Sequence, residues 1–405
     1  MRMKNTSEIA AEHEAPQRSA CDGKPADKTE RTKFCASLEA ALEYAAPQGA
    51  TVFPIGFSDV DRILRAGYRI VSDADEADII AARGGENEFA RARKLSDACD
   101  YIDSSLHKKT LLVPTHALLS AACSRYRAVD GTFAYVASGA EPTVAVFDPL
   151  ELDNLASIFG ELVSLDLAAF DYTFGAHMQG LAPDVTATNA VARLVTELTD
   201  ELRGVAKDRE KSAKLIAAAG ARAARIIADR PEMLHCSGAA QTAEALRMLY
   251  AAELRPLAKR GETEMLLAVY VADFYVKNIG QTSGLTFPPD NNKRIDSVCE
   301  YFAADLRRAC VYAAPIYPPI KMRLCEYRRA EFRADTARML AALKTRQNAA
   351  WKVFKRLYPD DGYGLKTLID PTDLPLVLAL APDVFSVDTM LSFLKQTGKL
   401  DRYIV

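Results

Sequence analysis

Apolar and polar positions change rhythm twice along the chain. Over residues 1 to 33, Lys, Glu, Asp, Pro and Ser mix with almost no apolar periodicity. Such a segment buries too little surface to offset the entropy of ordering, so it reads as a disordered tail. From 34 to 150, short β-type runs alternate with helical ones: ATVFPIGF, SDVDRILRAG, YRIVSD, ADIIAARGG, the helical ENEFARARKLSDACDYI, KTLLVPTH, TFAYVAS and TVAVFDP. That alternation predicts parallel strands joined by helical crossovers. After Asp148 and Pro149 the apolar residues recur at i, i+3, i+4 and i+7, through FGELVSLDLAAFDYTFG, ATNAVARLVTELTDELRG, QTAEALRMLYAAELRPLAK and GETEMLLAVYVADFYVKNIG. This is the helical period, without a fixed repeat that would indicate a solenoid. The fold class expected is an α/β N-terminal dinucleotide-binding-type domain plus an all-α C-terminal domain over 151 to 405, with the site in the cleft between them.

Composition narrows the function classes. The chain has 405 residues, 49% of them hydrophobic and 26% charged, which suits two globular domains with real cores. A formal charge of −3 lacks the basic excess with which proteins neutralise phosphates, so nucleic acid is not an expected partner. The apolar run LPLVLALAP from Leu374 is too short to cross a bilayer, and the first residues carry no apolar signal region, so no membrane association is expected. Eight cysteines without a C-x-x-C pair suit free thiols in a reducing cytoplasm.

Local chemistry is sparse. Five histidines include no pair at i, i+4, and neither a G-x-S-x-G elbow nor a Walker A loop occurs. The stretch EADIIAARGGENEFARARK has the order strand, Gly84-Gly85, helix, which exposes backbone N–H groups to an anion. Its third turn residue, Glu86, would repel a pyrophosphate. The stretch LLVPTHALLSAACS ends a strand at Thr115, where the side chain and neighbouring N–H groups can meet a phosphate or ribose. In FGELVSLDLAAFDYTFG, Glu161 and Asp171 lie about 80° apart around a continuous helix and read as two separate solvated positions.

Read together, these stretches resemble the sn-glycerol-1-phosphate dehydrogenase branch of the family that also holds glycerol dehydrogenases, iron-containing alcohol dehydrogenases and 3-dehydroquinate synthases. The likeness runs in order from about residue 50 to 405, through ARGGENEF, VPTHALLSAACS, VAVFDPLEL, FGELVSLDLAAFDY, CSGAAQTAEAL, KRGETEMLLAVYVADFYV and LAPDVFSVDTMLSFLKQTGKL. It implies a dehydroquinate synthase-like fold, NAD or NADP as cofactor, and a small-molecule substrate of the polyol or polyol phosphate class. It also implies a divalent metal, zinc, nickel or iron, held by one Asp and two His, and often a homo-oligomer. By position, Gly84, Gly85, Glu86, Thr115 and Ser124 would face the cofactor, and Ser120 and Gln241 the substrate.

The same resemblance exposes departures. Where it implies the metal ligands, this chain has Glu161, Gln241 and Arg260, with Glu244 in the second place if the register shifts. A guanidinium offers only donors, so no divalent metal is expected there. Ala90 and Arg93 replace an Asp and a Lys, and Ser120 replaces a substrate-facing Asp. Glu161 and Arg260 are the expected catalytic pair, near ion-pair distance, with Gln241 or Glu244 converging on them. Two functions follow: an oxidoreductase in which Arg260 stands in for the metal, or a catalytically silent relative kept for binding or assembly. Under a shifted alignment, His235, His177 and Asp171 are the reserve ligands. Lys293, Lys321, Arg323 and Arg328 are candidates for a phosphate-binding patch.

Overall fold

The structure, a computed structural model, describes residues 32–102, 108–116, 126–128, 135–137, 142–178, 181–230, 233, 237–253, 255, 258–279, 330–358, 369–384, 389–396 and 398–400. Ser120, Ser124, His235, Lys293, Lys321, Arg323 and Arg328 lie outside the described residues.

Six parallel strands form the main sheet: β1 (Lys33–Cys35), β2 (Thr51–Ile55), β3 (Arg69–Ile70), β4 (Ile79–Gly84), β5 (Lys109–Pro114) and β8 (Val144–Val146), in the order β1-β8-β5-β4-β2-β3. Between β5 and β8 in sequence, β6 (Tyr126–Ala128) and β7 (Tyr135–Ala137) make a separate antiparallel pair. The central strand β4 shows why the sheet is parallel and covered. Ile79 and Ala81 join an apolar cluster with Leu38, Leu42 and Ile63, while the alternate Ile80 and Ala82 join one with Phe89 and Leu112. Both faces of the strand are thus buried, as period-two side chains under two helical layers require.

Helix α1 (Leu38–Ala45) supplies one layer, burying Leu38, Ala41, Leu42 and Ala45 at helical spacing. Its first turn is closed by the Ser37 hydroxyl, which accepts from the Ala40 N–H at 3.2 Å. The short α2 (Asp61–Arg65) buries Ile63 beside it, and α3 (Glu86–Ile102) packs on β4 and β5 from the glycine turn onward.

The expected helical part follows. Helix α4 (Leu155–Met178) is buried almost all round, the signature of a helix surrounded by others. Around it pack α5 (Val185–Val205), α6 (Arg209–Asp229), α7 (Gly238–Ala252), α8 (Arg260–Asn278) and α9 (Ala330–Leu357). Two shorter helices, α10 (Leu374–Val384) and α11 (Met390–Gln396), close its far end. Among the described residues no helix is long and apolar enough to cross a membrane.

Glycine sets how closely α4 and α8 approach. A Cβ on Gly160 would sit 2.0 Å from the Gly261 carbonyl oxygen, and one on Gly261 would sit 1.8 Å from that of Ser157. The backbones touch, and no other residue type fits at either position. Further along α4, Asp171 is fully buried and ties three elements together. Its carboxylate accepts from the Gly238 N–H at 2.7 Å, the Met390 N–H at 2.9 Å and the Tyr275 hydroxyl at 3.2 Å. It therefore caps the first residues of both α7 and α11, where the helix dipoles favour negative charge.

Candidate functional site

Three strand ends and one helix start build the site on the α/β side. Residue Gly56 follows β2 with φ +73°, and Gly84 closes β4 with φ +147°, conformations that favour glycine. Gly85 then precedes α3, whose first residue is Glu86. The carboxylate of Glu88 folds back, and its Oε2 accepts from the Gly85 N–H at 2.9 Å. This is one half of a capping box, with the residue before the helix and the third residue inside it as partners. Glu88 fills the room at Gly84, where a Cβ would lie 2.6 Å from its Oε2; at Gly56 a Cβ would meet the Arg83 carbonyl oxygen at 2.1 Å and then the Glu88 Cγ at 3.0 Å.

Thr115, at the end of β5, is 2% exposed. Its N–H donates to the Gly84 carbonyl at 3.0 Å, and its own carbonyl accepts from Asp153 at 2.7 Å. Its hydroxyl lies 2.8 Å from Nδ1 of His116, whose ring covers Gly85 closely enough that a Cβ there would meet Nε2 at 2.6 Å. Burial pushes the imidazole below its ordinary value, and the nearby Lys259 and Arg83 charges add to the shift against the pull of Glu88 and Asp153. The ring is therefore neutral at physiological pH.

Beside this crevice lies an ionic network. Arg62 reaches Glu151 at 2.5 Å, Asp148 at 2.8 Å and Glu39 at 2.8 Å, and Arg83 reaches the other oxygen of Glu151 at 2.5 Å. Hydrogen bonding to Glu39 and Asp148 raises Arg62 against the penalty of burial. Glu151 is buried, so two guanidiniums on one carboxylate satisfy all its charge.

From the helical side, α8 begins with Arg260. Its Nε donates to Glu264 at 2.6 Å, one turn on, and its Nη1 lies 3.8 Å from Glu244 of α7, which also takes Arg247 at 2.8 Å. Both carboxylates are buried, whereas the Arg260 side chain keeps 19% of its surface open. The next residue but one, Glu262, accepts from Asn154 Nδ2 at 2.6 Å, tying α8 to the segment that leads into α4. Glu161 is buried on α4, one residue past the Gly160 contact, as Arg260 is one residue before Gly261. Gln241 is 1% exposed, and its Oε1 accepts from the Thr389 hydroxyl at 2.9 Å.

The elements bearing Glu161 and Arg260 thus cross within one residue of each, and the Arg260 guanidinium lies between Glu264 and Glu244. Among the reserve ligands, Asp171 is committed to helix caps and His177 is exposed near the end of α4. Sequence reasoning missed Glu88, His116 and Glu264. The first was legible as the G-x-x-E spacing of Gly85 and Glu88, and the last as an i, i+4 pair with Arg260. Among the described residues no group of three or more His, Cys, Asp or Glu is placed to hold a metal ion.

Architecture assigns a class of fold: a parallel α/β sheet followed by a helical bundle is the iron-containing alcohol dehydrogenase and dehydroquinate synthase-like arrangement. The chain is similar in fold to a 1,3-propanediol oxidoreductase, with TM-score 0.55 and 13% identity over 93% of this chain and 97% of that one. A sulfoacetaldehyde reductase from Bifidobacterium kashiwanohense, solved with NAD+, gives TM-score 0.55 and 11% identity over 93% and 98%. An archaeal halo-thermophilic Red Sea brine pool alcohol dehydrogenase gives 0.53 and 13% over 93% and 97%. No family model and no curated protein sequence matches the chain.

Proposed function

We propose that the protein is an NAD(P)-linked, oxidoreductase-type relative of these dehydrogenases that acts on a small polyol or polyol phosphate without a divalent metal. The observation that carries this reading is Arg260, a permanent cation held by Glu264 and Glu244 at the start of α8. The residues at the three implied ligand positions do not fit a metal. Glu161 is a sound oxygen ligand, but the Gln241 oxygen is engaged by Thr389, and Arg260 repels a cation and offers no lone pair. No step is therefore routed through a metal.

What the chain's own groups do follows from their chemistry. Arg260, at the start of α8 and beside the crossing with α4, presents N–H donors to a carbonyl or hydroxyl oxygen and stabilises negative charge developing there. A guanidinium polarises less than a divalent ion, so the suited substrates are those with easily reduced carbonyls. A bound nicotinamide supplies or accepts the hydride. Gly84, Gly85 and Thr115 line the strand ends where its pyrophosphate would lie, and neutral His116 covers the turn.

The test is reduction of dihydroxyacetone phosphate with NADH and NADPH by protein purified without added metal. Turnover is expected to survive EDTA, to fall by about a hundredfold or more in Arg260→Ala, and to recover partly in Arg260→Lys. Turnover that appears only with zinc, nickel or iron would sink the proposal.

A second reading is a silent relative kept for binding or assembly, and Glu88 favours it. A carboxylate on the Gly85 N–H stands where a cofactor phosphate needs a donor. Under this reading, calorimetry shows no heat with either cofactor up to millimolar concentration.

A further inference from the structure

The sheet order carries information that the glycine turn alone does not. From β2 the chain steps outward to β3, then returns past β2 to β4, so β3 and β4 flank β2 on opposite sides. The carboxyl ends of β2 and β4 therefore bound a topological switch point, the crevice where ligands enter open α/β sheets. Gly56 and Gly84 stand at those two ends, both with positive φ. At Gly56 the missing Cβ makes room first for the Arg83 carbonyl oxygen, 2.1 Å away, and at Gly84 it leaves main chain uncovered toward the crevice. Yet the Glu88 side chain already occupies the space. Its Cγ is where a Gly56 Cβ would reach, its Oε2 is where a Gly84 Cβ would reach, and the Gly85 N–H points at that oxygen.

From this geometry we infer that Glu88 is an internal anion that competes with the pyrophosphate of a dinucleotide for the switch-point crevice, and that it sets cofactor affinity. Glu88 satisfies the donor a phosphate oxygen would use, fills the volume, and brings a negative charge within contact distance of two more. Binding then requires the side chain to leave Gly85, and the weakening is a property of one residue rather than of the scaffold. This rests on the reading that the crevice takes a dinucleotide.

The deciding substitution is Glu88→Gln. Its amide oxygen still accepts from the Gly85 N–H, so the helix start stays capped while the charge is lost. Glu88→Ala removes both and opens the volume. NADH and NADPH are titrated into the full chain and both variants by calorimetry, with thermal melts to establish folding. The expected result is a dissociation constant lower by about tenfold or more in Glu88→Gln, corresponding to about 1.4 kcal/mol, and at least as low in Glu88→Ala. Affinities within about twofold of one another across the three proteins would overturn the inference, as would the absence of binding by all three. If Glu88→Gln fails to melt cooperatively, Glu88→Ala alone decides by the same criteria. Because binding is read without turnover, failure of the proposed reaction leaves this result intact, and the reverse also holds.

Discussion

Two buried or half-buried carboxylates, Asp171 in the helical part and Glu88 in the α/β part, both accept backbone N–H groups at a helix start, and there the likeness ends. Asp171 is fully buried and holds Gly238, Met390 and Tyr275 at once. Burial and the neighbouring Asp171 charge push the Tyr275 phenol well above its ordinary value, so it stays a hydroxyl, donating to Asp171 while accepting from the Leu391 N–H at 3.1 Å. Glu88 makes one such bond, to a residue three positions away, at the mouth of a crevice. The first group joins elements far apart in sequence and can be moved only by unfolding them. The second is local and can swing away while everything else stays in place. Negative charge at a helix start is structural in one region and adjustable in the other, because of how many partners depend on it.

Substitutions can break this contrast. The largest effect is expected for Asp171→Ala, which uncaps α7 and α11 and leaves the Tyr275 hydroxyl without its acceptor. A loss of about 3–5 kcal/mol in urea unfolding is expected, and a loss below about 1 kcal/mol would show the node to be dispensable. Gly160→Ala, which drives a Cβ into the Gly261 carbonyl, should cost about 3 kcal/mol by the same measurement. Arg62→Ala removes the cation shared by Glu39, Asp148 and Glu151. With the guanidinium 24% exposed, about 1–2 kcal/mol is expected, smaller in high salt. Glu88→Gln should change stability by less than about 0.5 kcal/mol, in keeping with a group that is not structural.

The smallest effect sharpens the picture by pH. Since the folded protein holds His116 below its ordinary value of 6.5, the unfolded chain binds more protons in that range. Its contribution to stability is present above pH 6.5 and is lost as pH falls through the folded value. His116→Asn should flatten that limb of the stability profile, and an unchanged limb would assign it to other groups.

How much of this was readable beforehand depends on the range of each interaction. The parallel sheet was legible because a covered strand must be apolar on both faces, as Ile79 to Ala82 are, and the helical part because α4 to α8 keep the helical period. At the site, attention fell on Glu86 as the third turn residue, whereas the side chain that fills the turn is Glu88, at helical rather than turn spacing. Asp171, read as a solvated position or a reserve ligand, instead joins residues 67, 104 and 219 places away. No local pattern announces such a node, because its partners are two main-chain N–H groups and a tyrosine whose sequence context is that of any buried helix.

The touching backbones of α4 and α8 have a mechanical consequence. A one-residue slide along either helix, about 1.5 Å, would replace a glycine by a side chain at the point of contact. Shear between these helices is thereby forbidden, and any relative movement must be a pivot about the Gly160 and Gly261 notch. Glu161 and Arg260, one residue from that fulcrum, would turn through the same angle as the helices while barely changing their separation.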